Sequence, residues 1–315
     1  MRILVGININ SPYQLLSFLS YYEKNKLHYS KKIIYKFDYW GYNQIYNRYL
    51  NYFISEGGEL IEEITDLDEI IKQLKSNHPN ALFDFITINE PSIKLKFLFK
   101  KSKAIIIADG LGYYGNFLTT ILGIKREKAI KISSKDKIFM ALKYFTKKLI
   151  FHFIEYEEYT LLKYKNLKFN ENFSDDLKKI IPKLKGKSDI NKPSLIFSDQ
   201  PLVKLKILSS NEYNRLINSV YVYATSLGLE FYIKEHPSHP ISDSKYNIVK
   251  FDGIIEELCL VNSNIKQVLS YSSTGLFNLI YLRNDIIVEK AVKSYSLYMS
   301  KKQRKILDKI NYYEK

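Results

Sequence analysis

The sequence predicts an α/β protein with two parallel sheets, and three observations carry that prediction. Short runs rich in Ile, Val, Leu and Phe are continuous rather than alternating, as in strands buried on both faces. Segments with apolar residues at helical spacing separate them. The alternation stops at the polar stretch Lys185-Gly186-Lys187-Ser188-Asp189-Ile190-Asn191-Lys192-Pro193 and then restarts. A flexible, proline-ended stretch of this kind reads as a linker. The expected layout is a first domain over 1–185, a second over 193–290 and a helical segment over 291–315 that packs back. A chain of 315 residues accommodates two domains of ordinary size.

In the first half, Ile3 to Ile9 is a buried strand. Asn10-Ser11-Pro12 follows, where either polar residue can cap a helix that has proline in its first turn. Gln14, Leu15, Phe18 and Leu19 continue that helix. Lys32 to Phe37, Glu59 to Ile64, Ala81 to Ile88 and Lys103 to Ile107 read as further strands, with helices at Tyr42 to Ile54, from Thr65 through Leu74, and at Ser92 to Lys100. Asp66-Leu67-Asp68 has the spacing of a metal-holding acid pair, but its place in a first helical turn favours capping. From Asn116 to about Lys187 the pattern is helical and irregular. Within it, Lys137 to Phe151 combines an apolar stripe with lysines. A helix packed on its domain with solvated lysines is the preferred reading, ahead of a basic surface for anionic lipid.

In the second half, strands are expected at Ser194 to Ser198, Leu229 to Lys234, Tyr246 to Phe251, Gln267 to Ser270 and Ile286 to Glu289. Helices are expected at Asn211 to Leu227, at Ile254 to Val261, from Ser273 through Leu282, and at Tyr295 to Tyr312. Two βα-repeat halves joined by a linker suggest two Rossmann-like domains facing across a cleft, the glycosyltransferase-B architecture.

Composition narrows the function. Lys and Arg number 48 against 33 acids, a formal charge of +15, which favours anionic partners. Part of this excess reflects a chain rich in Lys, Ile, Asn and Tyr. The single cysteine, Cys259, sits in an apolar helical setting. It rules out an internal disulfide and a cysteine zinc cluster, fits a reducing compartment, and reads as core. The first strand is too short for a signal peptide and no apolar run reaches eighteen residues, so a cytoplasmic protein is expected. No Gly-x-x-x-x-Gly-Lys-Ser/Thr loop and no Gly-x-Gly-x-x-Gly fingerprint is present, which disfavours P-loop NTPases and dinucleotide oxidoreductases.

Three polar groups fall at strand ends, where ligands bind in open α/β sheets. Asp109-Gly110 follows three isoleucines; Asp-Gly is also a common turn pair. Lys234-Glu235-His236-Pro237 follows Phe231-Tyr232-Ile233, and the proline ends the strand. A lone His-Pro is more often a surface loop, and His236 is raised by its company. Ser272-Ser273-Thr274 opens a helix, where hydroxyls and free N–H groups make an anion site. An N-cap needs one hydroxyl rather than three, so phosphate binding is preferred, with Lys234 and His236 as further donors.

In this order, Ala108-Asp109-Gly110, His236-Pro237 and Ser273-Thr274 resemble the acid-acid-Gly, His-Pro and Ser-Ser/Thr motifs of bacterial sialyltransferases of the lipooligosaccharide and capsule polysialyltransferase type. Asn10-Ser11-Pro12-Tyr13-Gln14 is similar to that group's first loop, and Ser198-Asp199-Gln200-Pro201 to the loop opening its second domain; Asn10, Ser11, Gln14 and Gln200 are therefore candidate cleft residues. The resemblance implies an inverting, metal-independent transfer of sialic acid, or a related nonulosonic acid, from a CMP-activated donor to a surface glycan. It implies Asp109 as general base, His236 as phosphate ligand and aid to the leaving group, Ser273 and Thr274 as phosphate ligands, and Glu256 as ribose ligand. Gly110, Lys234, Pro237 and Ser272 complete the donor-binding set. No metal and no cofactor is expected, the CMP-sugar being a co-substrate. Ala108 departs from the family, whose first acid it replaces.

Two other readings remain. One keeps the architecture and changes the nucleotide: a UDP-sugar transferase or epimerase. The other, a nucleic-acid binder, rests on the charge and 27 tyrosines but lacks any recognised module. Association with the anionic inner membrane surface through Lys301, Lys302, Arg304 and Lys305 is compatible with the transferase reading.

Overall fold

The computed structural model describes residues 1–36, 44–62, 64, 66–108, 110–119, 121, 133–151, 153–163, 168–236, 245–271, 273–292 and 299–313. The chain divides into two compact units, Met1–Tyr42 with Tyr46–Ile180, and Asn43–Ile45 with Ile181–Lys315.

The first unit carries β1 (Arg2–Ile7), α1 (Pro12–Asn25), β2 (Lys31–Tyr35), α2 (Gln44–Ser55), β3 (Gly58–Ile61), α3 (Leu67–Asn77), β4 (Leu82–Ile88), α4 (Ile93–Leu98), β5 (Ala104–Ile107), α5 (Ser134–Phe151), β6 (Glu157–Tyr159), β7 (Lys168–Phe169) and α6 (Phe173–Ile180). Its strands are all parallel, in the order β3-β2-β1-β4-β5-β6-β7. Ile3, Val5 and Ile7 of β1 join Ile33, Tyr35, Phe83 and Phe85 in one buried layer against Ile70, Ile71 and Leu74 of α3. The opposite face meets α1: a Cβ on Gly6 would lie 2.9 Å from the Phe18 ring. Phe18 in turn stands edge-on to Phe53 of α2. Asp66 caps α3, accepting from the N–H groups of Asp68 and Glu69, which is the capping role its position implied.

β6 and β7 lie in a stretch expected to be helical. Neither has an apolar run; they are held by backbone pairing at the sheet edge and by Tyr113, whose hydroxyl donates to the buried Glu158 carboxylate at 2.6 Å. The same device recurs. Tyr29 donates to Asp84 at 3.0 Å and Tyr159 to Asp176 at 3.1 Å. Burial and the neighbouring carboxylate keep the hydroxyls of Tyr29, Tyr113 and Tyr159 protonated well above the ordinary range. A buried carboxylate needs donors, and a phenol supplies one while its ring fills core space. Three of the 27 tyrosines that made a nucleic-acid binder conceivable are spent this way.

The second unit carries β8 (Ser194–Ser198), α7 (Ser210–Ser226), β9 (Glu230–Lys234), β10 (Asn247–Ile248), α8 (Ile255–Val261), β11 (Ile265–Ser270), α9 (Thr274–Leu282), β12 (Ile287–Lys290), α10 (Lys301–Leu307) and β13 (Asn311–Tyr312). Its strands are parallel, in the order β10-β9-β8-β11-β12-β13. The stretch 185–193, expected to be a flexible linker, is tied down: Asn262 Nδ2 donates to Ser188 Oγ and to the Ile190 carbonyl, each at 2.9 Å. The expected C-terminal helix is shorter among the described residues. Ser300 and Gln303 form a capping box on α10, and the chain then turns to place β13 beside β12. The open sheet edge offers hydrogen bonds, and Tyr313 buries its ring 4.9 Å from Tyr223, so an edge strand wins over further helix. Among the described residues no helix is long and apolar enough to cross a membrane.

Candidate functional site

In the second unit the strand order reverses between β8 and β11. That topological switch point is where α/β sheets open a crevice at their carboxyl ends. Ser198 and Asp199 leave β8, Lys234 closes β9 with Glu235 and His236 behind it, and Ser273 opens α9 after β11. Ser198, Asp199, Lys234, His236, Glu256, Ser273 and Gly275 line one cavity of about 120 Å³, room for about four waters, the scale of a phosphoryl group. Backbone bonds hold its rim. The Asp199 N–H donates to the Lys234 carbonyl at 2.9 Å. Ser270 Oγ donates to the Ser198 carbonyl at 2.6 Å.

Each side chain has a physical reason for its place. Ser273 is the N-cap of α9, its hydroxyl accepting from the Gly275 N–H at 3.1 Å. The first turn of that helix leaves further N–H groups and the positive end of the dipole at the cavity. Gly275 lets α8 and α9 start side by side: a Cβ there would stand 2.6 Å from Ile255 Cγ2 and 3.7 Å from Glu256 Oε1. Glu256, in the first turn of α8, is buried, and Asn278 Nδ2 donates to it at 2.6 Å. Burial pushes its carboxyl up, and the Asn278 hydrogen bond offsets this only in part. Lys234 is also buried, whereas His236 is half-buried. Asp199 is buried and accepts from the Tyr213 hydroxyl at 2.8 Å.

Thr274 is the first residue of α9 and does not line this cavity. Gln200 lies outside the lining too, its Oε1 3.5 Å from Ser270 Oγ. Asp109, Pro237 and Ser272 lie outside the described residues. Asp199 and Gly275 are among the lining residues that sequence reasoning did not single out as site candidates. Asp199 carried a usable signal, an acid directly after an apolar strand, the same signal that drew attention to Asp109.

The carboxyl edge of the first sheet is different. Asn10, Ser11 and Gln14 are bound up in starting α1. Ser11 Oγ accepts from the Gln14 N–H at 3.2 Å, while Gln14 Oε1 accepts from the N–H groups of Asn10 and Ser11 at 2.8 and 3.1 Å. This is a capping box. Gly110 begins a short 3₁₀ turn, Gly110–Tyr114, with φ of 63°, a backbone conformation that glycine adopts without steric cost. Beyond it opens a cavity of about 400 Å³, lined by Asn89 and Glu90 after β4, by Tyr113 and Tyr156, and by Tyr144, Lys148 and Phe151 of α5. Burial pushes the Tyr156 hydroxyl up to about 12. The lining combines aromatic rings with Glu90 and Lys148, where the second unit's cavity brings Lys234, His236 and the start of α9 together with Asp199 and Glu256.

No curated protein is significantly similar in sequence. Among solved structures, the chain is similar to the GT-B domain of a sialyltransferase from Photobacterium damselae, at 10% identity over 98% of this chain and 96% of that one, with a TM-score of 0.51. It is also similar to the UDP-GlcNAc 2-epimerase of Methanocaldococcus jannaschii, at 9% identity over 93% of this chain and 84% of that one, with a TM-score of 0.50. These likenesses give the fold, glycosyltransferase-B. The family profile of alpha-2,8-polysialyltransferases (POLYST) matches residues 7–289, a span that runs from the end of β1 to β12. With the switch points of both sheets inside that span, the chain belongs to the alpha-2,8-polysialyltransferase family of glycosyltransferases.

Proposed function

We propose that the protein transfers sialic acid, or a related nonulosonic acid, from its CMP-activated donor to a hydroxyl of a lipooligosaccharide or capsule glycan, with inversion and without a metal ion. The observation that carries this reading is the convergence of Lys234, His236, Glu256 and Ser273 on one cavity at the carboxyl edge of the second sheet. The donor's phosphate is bonded directly to the anomeric carbon. As that bond breaks, negative charge grows on the leaving CMP and oxocarbenium character on the sugar. An ammonium, an imidazolium, a hydroxyl and the N–H groups of α9, all in place beforehand, stabilise the departing phosphate. Glu256 accepts from the ribose hydroxyls. The acceptor oxygen attacks the opposite face of the anomeric carbon and loses its proton to Asp109. Ala108 stands where the family has a first acid. The reaction is placed in the cytoplasm, where the CMP-sugar is the co-substrate.

Thermal unfolding with CMP, UDP and GDP, on wild type and His236→Ala, tests this reading. A ligand at a hundred times its dissociation constant adds about 2.7 kcal/mol, a shift of several degrees. Stabilisation of wild type by CMP alone, lost in the variant, is the expected result. A response to UDP or GDP instead removes the CMP donor from the proposal. No response to any of them removes the cavity as a nucleotide site.

A further inference from the structure

α5 turns its apolar stripe to solvent. Ile138, Leu142, Phe145 and Leu149 recur at spacings of four, three and four, and so lie on one helical face. Each is more than 60% exposed, at 63%, 63%, 62% and 62%, with Phe139 at 68% beside them and Phe153 at 83% just past the helix. The helix rests on its unit by the other side. Phe151 is buried, the Tyr144 ring sits 5.1 Å from Phe117, and Lys147 pairs with Glu90. This reverses the sequence-based expectation of a helix packed through its apolar face. Single exposed apolar residues are ordinary, but a contiguous patch marks an interaction surface.

Charge identifies the partner. α5 carries Lys135, Lys137, Lys143, Lys147 and Lys148 against the one acid Asp136. Two copies of this face would bring their lysines together on a chain that already carries a formal charge of +15, a repulsive arrangement. A surface that is anionic outside and hydrocarbon within satisfies both the lysines and the stripe. We infer that α5 lies in the interface of an anionic lipid bilayer, with Ile138, Leu142, Phe145 and Leu149 among the acyl chains and Lys135, Lys137 and Lys143 at the headgroups. Tyr144, Lys148 and Phe151 of the same helix line the first unit's cavity. Docking therefore sets that cavity at the membrane, within reach of acceptors anchored there; this last consequence, unlike the docking, rests on the transferase reading.

Co-sedimentation of the full chain with vesicles tests the inference. Three proteins are compared: wild type, Phe145→Ser/Leu149→Ser, and Val222→Ser, whose site is an exposed apolar residue on α7. Wild type binds vesicles containing phosphatidylglycerol and not those of phosphatidylcholine alone, and high salt weakens the binding. The double variant loses about a hundredfold in partitioning with its unfolding temperature unchanged, while Val222→Ser binds as wild type. Indifference of wild type to phosphatidylglycerol vesicles overturns the inference, as does full binding by the double variant. Sedimentation velocity covers the other occupant: self-association abolished by the double variant, with no vesicle binding, gives the face to a second copy instead.

Discussion

The two sheets share their central strand order, yet their carboxyl edges are lined differently. In the second unit, polar groups from three strand ends and two helix starts meet in one small cavity. In the first, the corresponding polar residues after β1 are consumed by the start of α1, and the opening lies farther along the sheet among tyrosines. One topology thus supplies a small polar cavity in one half and an aromatic-lined pocket in the other. Ser11 and Ser273 both cap their own helices; what differs is that Ser273 also lines a cavity shared with side chains from other strand ends.

That contrast can be broken in four places, taken from the largest effect to the smallest. Asp109→Ala is expected to slow sugar transfer by about 10²- to 10⁴-fold while CMP still raises the unfolding temperature. Equal losses of transfer and CMP response would mean that the base and the phosphate site are not divided between the units. Gly275→Ala forces a methyl against Ile255 and is expected to cost about 1–3 kcal/mol, read as a lower urea midpoint, together with weaker CMP binding. An unchanged midpoint would show that α8 and α9 can separate without loss.

Glu256→Gln should weaken CMP about tenfold by calorimetry, with less effect on free cytosine. Its pH dependence has a definite sign. Burial raises the folded-state pKa of Glu256, so the folded chain holds this proton more tightly than the unfolded one. The resulting stability is present below the unfolded pKa and is lost as pH rises through the folded value. Wild-type stability relative to the Gln variant therefore falls with rising pH in a urea series; a flat difference would mean that Glu256 ionises without cost. Ser11→Ala removes a cap, costs about 1 kcal/mol and should leave CMP affinity untouched. A drop in CMP affinity would give that loop a ligand role after all.

How much of this was legible in the sequence depended on how local the signal is. β1, β5 and β8 announce themselves as continuous apolar runs because each is buried on both faces. His236 was readable at a strand end because Phe231-Tyr232-Ile233 stops abruptly at charged residues and proline. Three short strands were not readable: β6, β7 and β13 are two or three residues long and owe their place to pairing with a neighbouring strand rather than to an apolar run of their own. Asp199 escaped notice because its approach to Lys234 is set by strand pairing rather than by spacing. The stripe on α5 was visible as periodicity, but periodicity names a face and not what covers it; only the packing of Tyr144 and Phe151 shows which side rests on the protein.

β13 has a consequence for how the chain is made. Residues 194 to 290 supply the cavity and most of its sheet, but Lys290 Nζ donates to the Leu307 carbonyl and Tyr313 fills the space beside Tyr223. The first unit has its whole sheet once α6 has left the ribosome, and can fold there. The second cannot close its outer edge until residue 313 has emerged. Synthesis therefore passes through an interval in which the half that carries the small polar cavity has an open sheet edge and the other half is finished. Stalling or truncation within that interval exposes a strand edge that chaperones, or other nascent chains, would meet first.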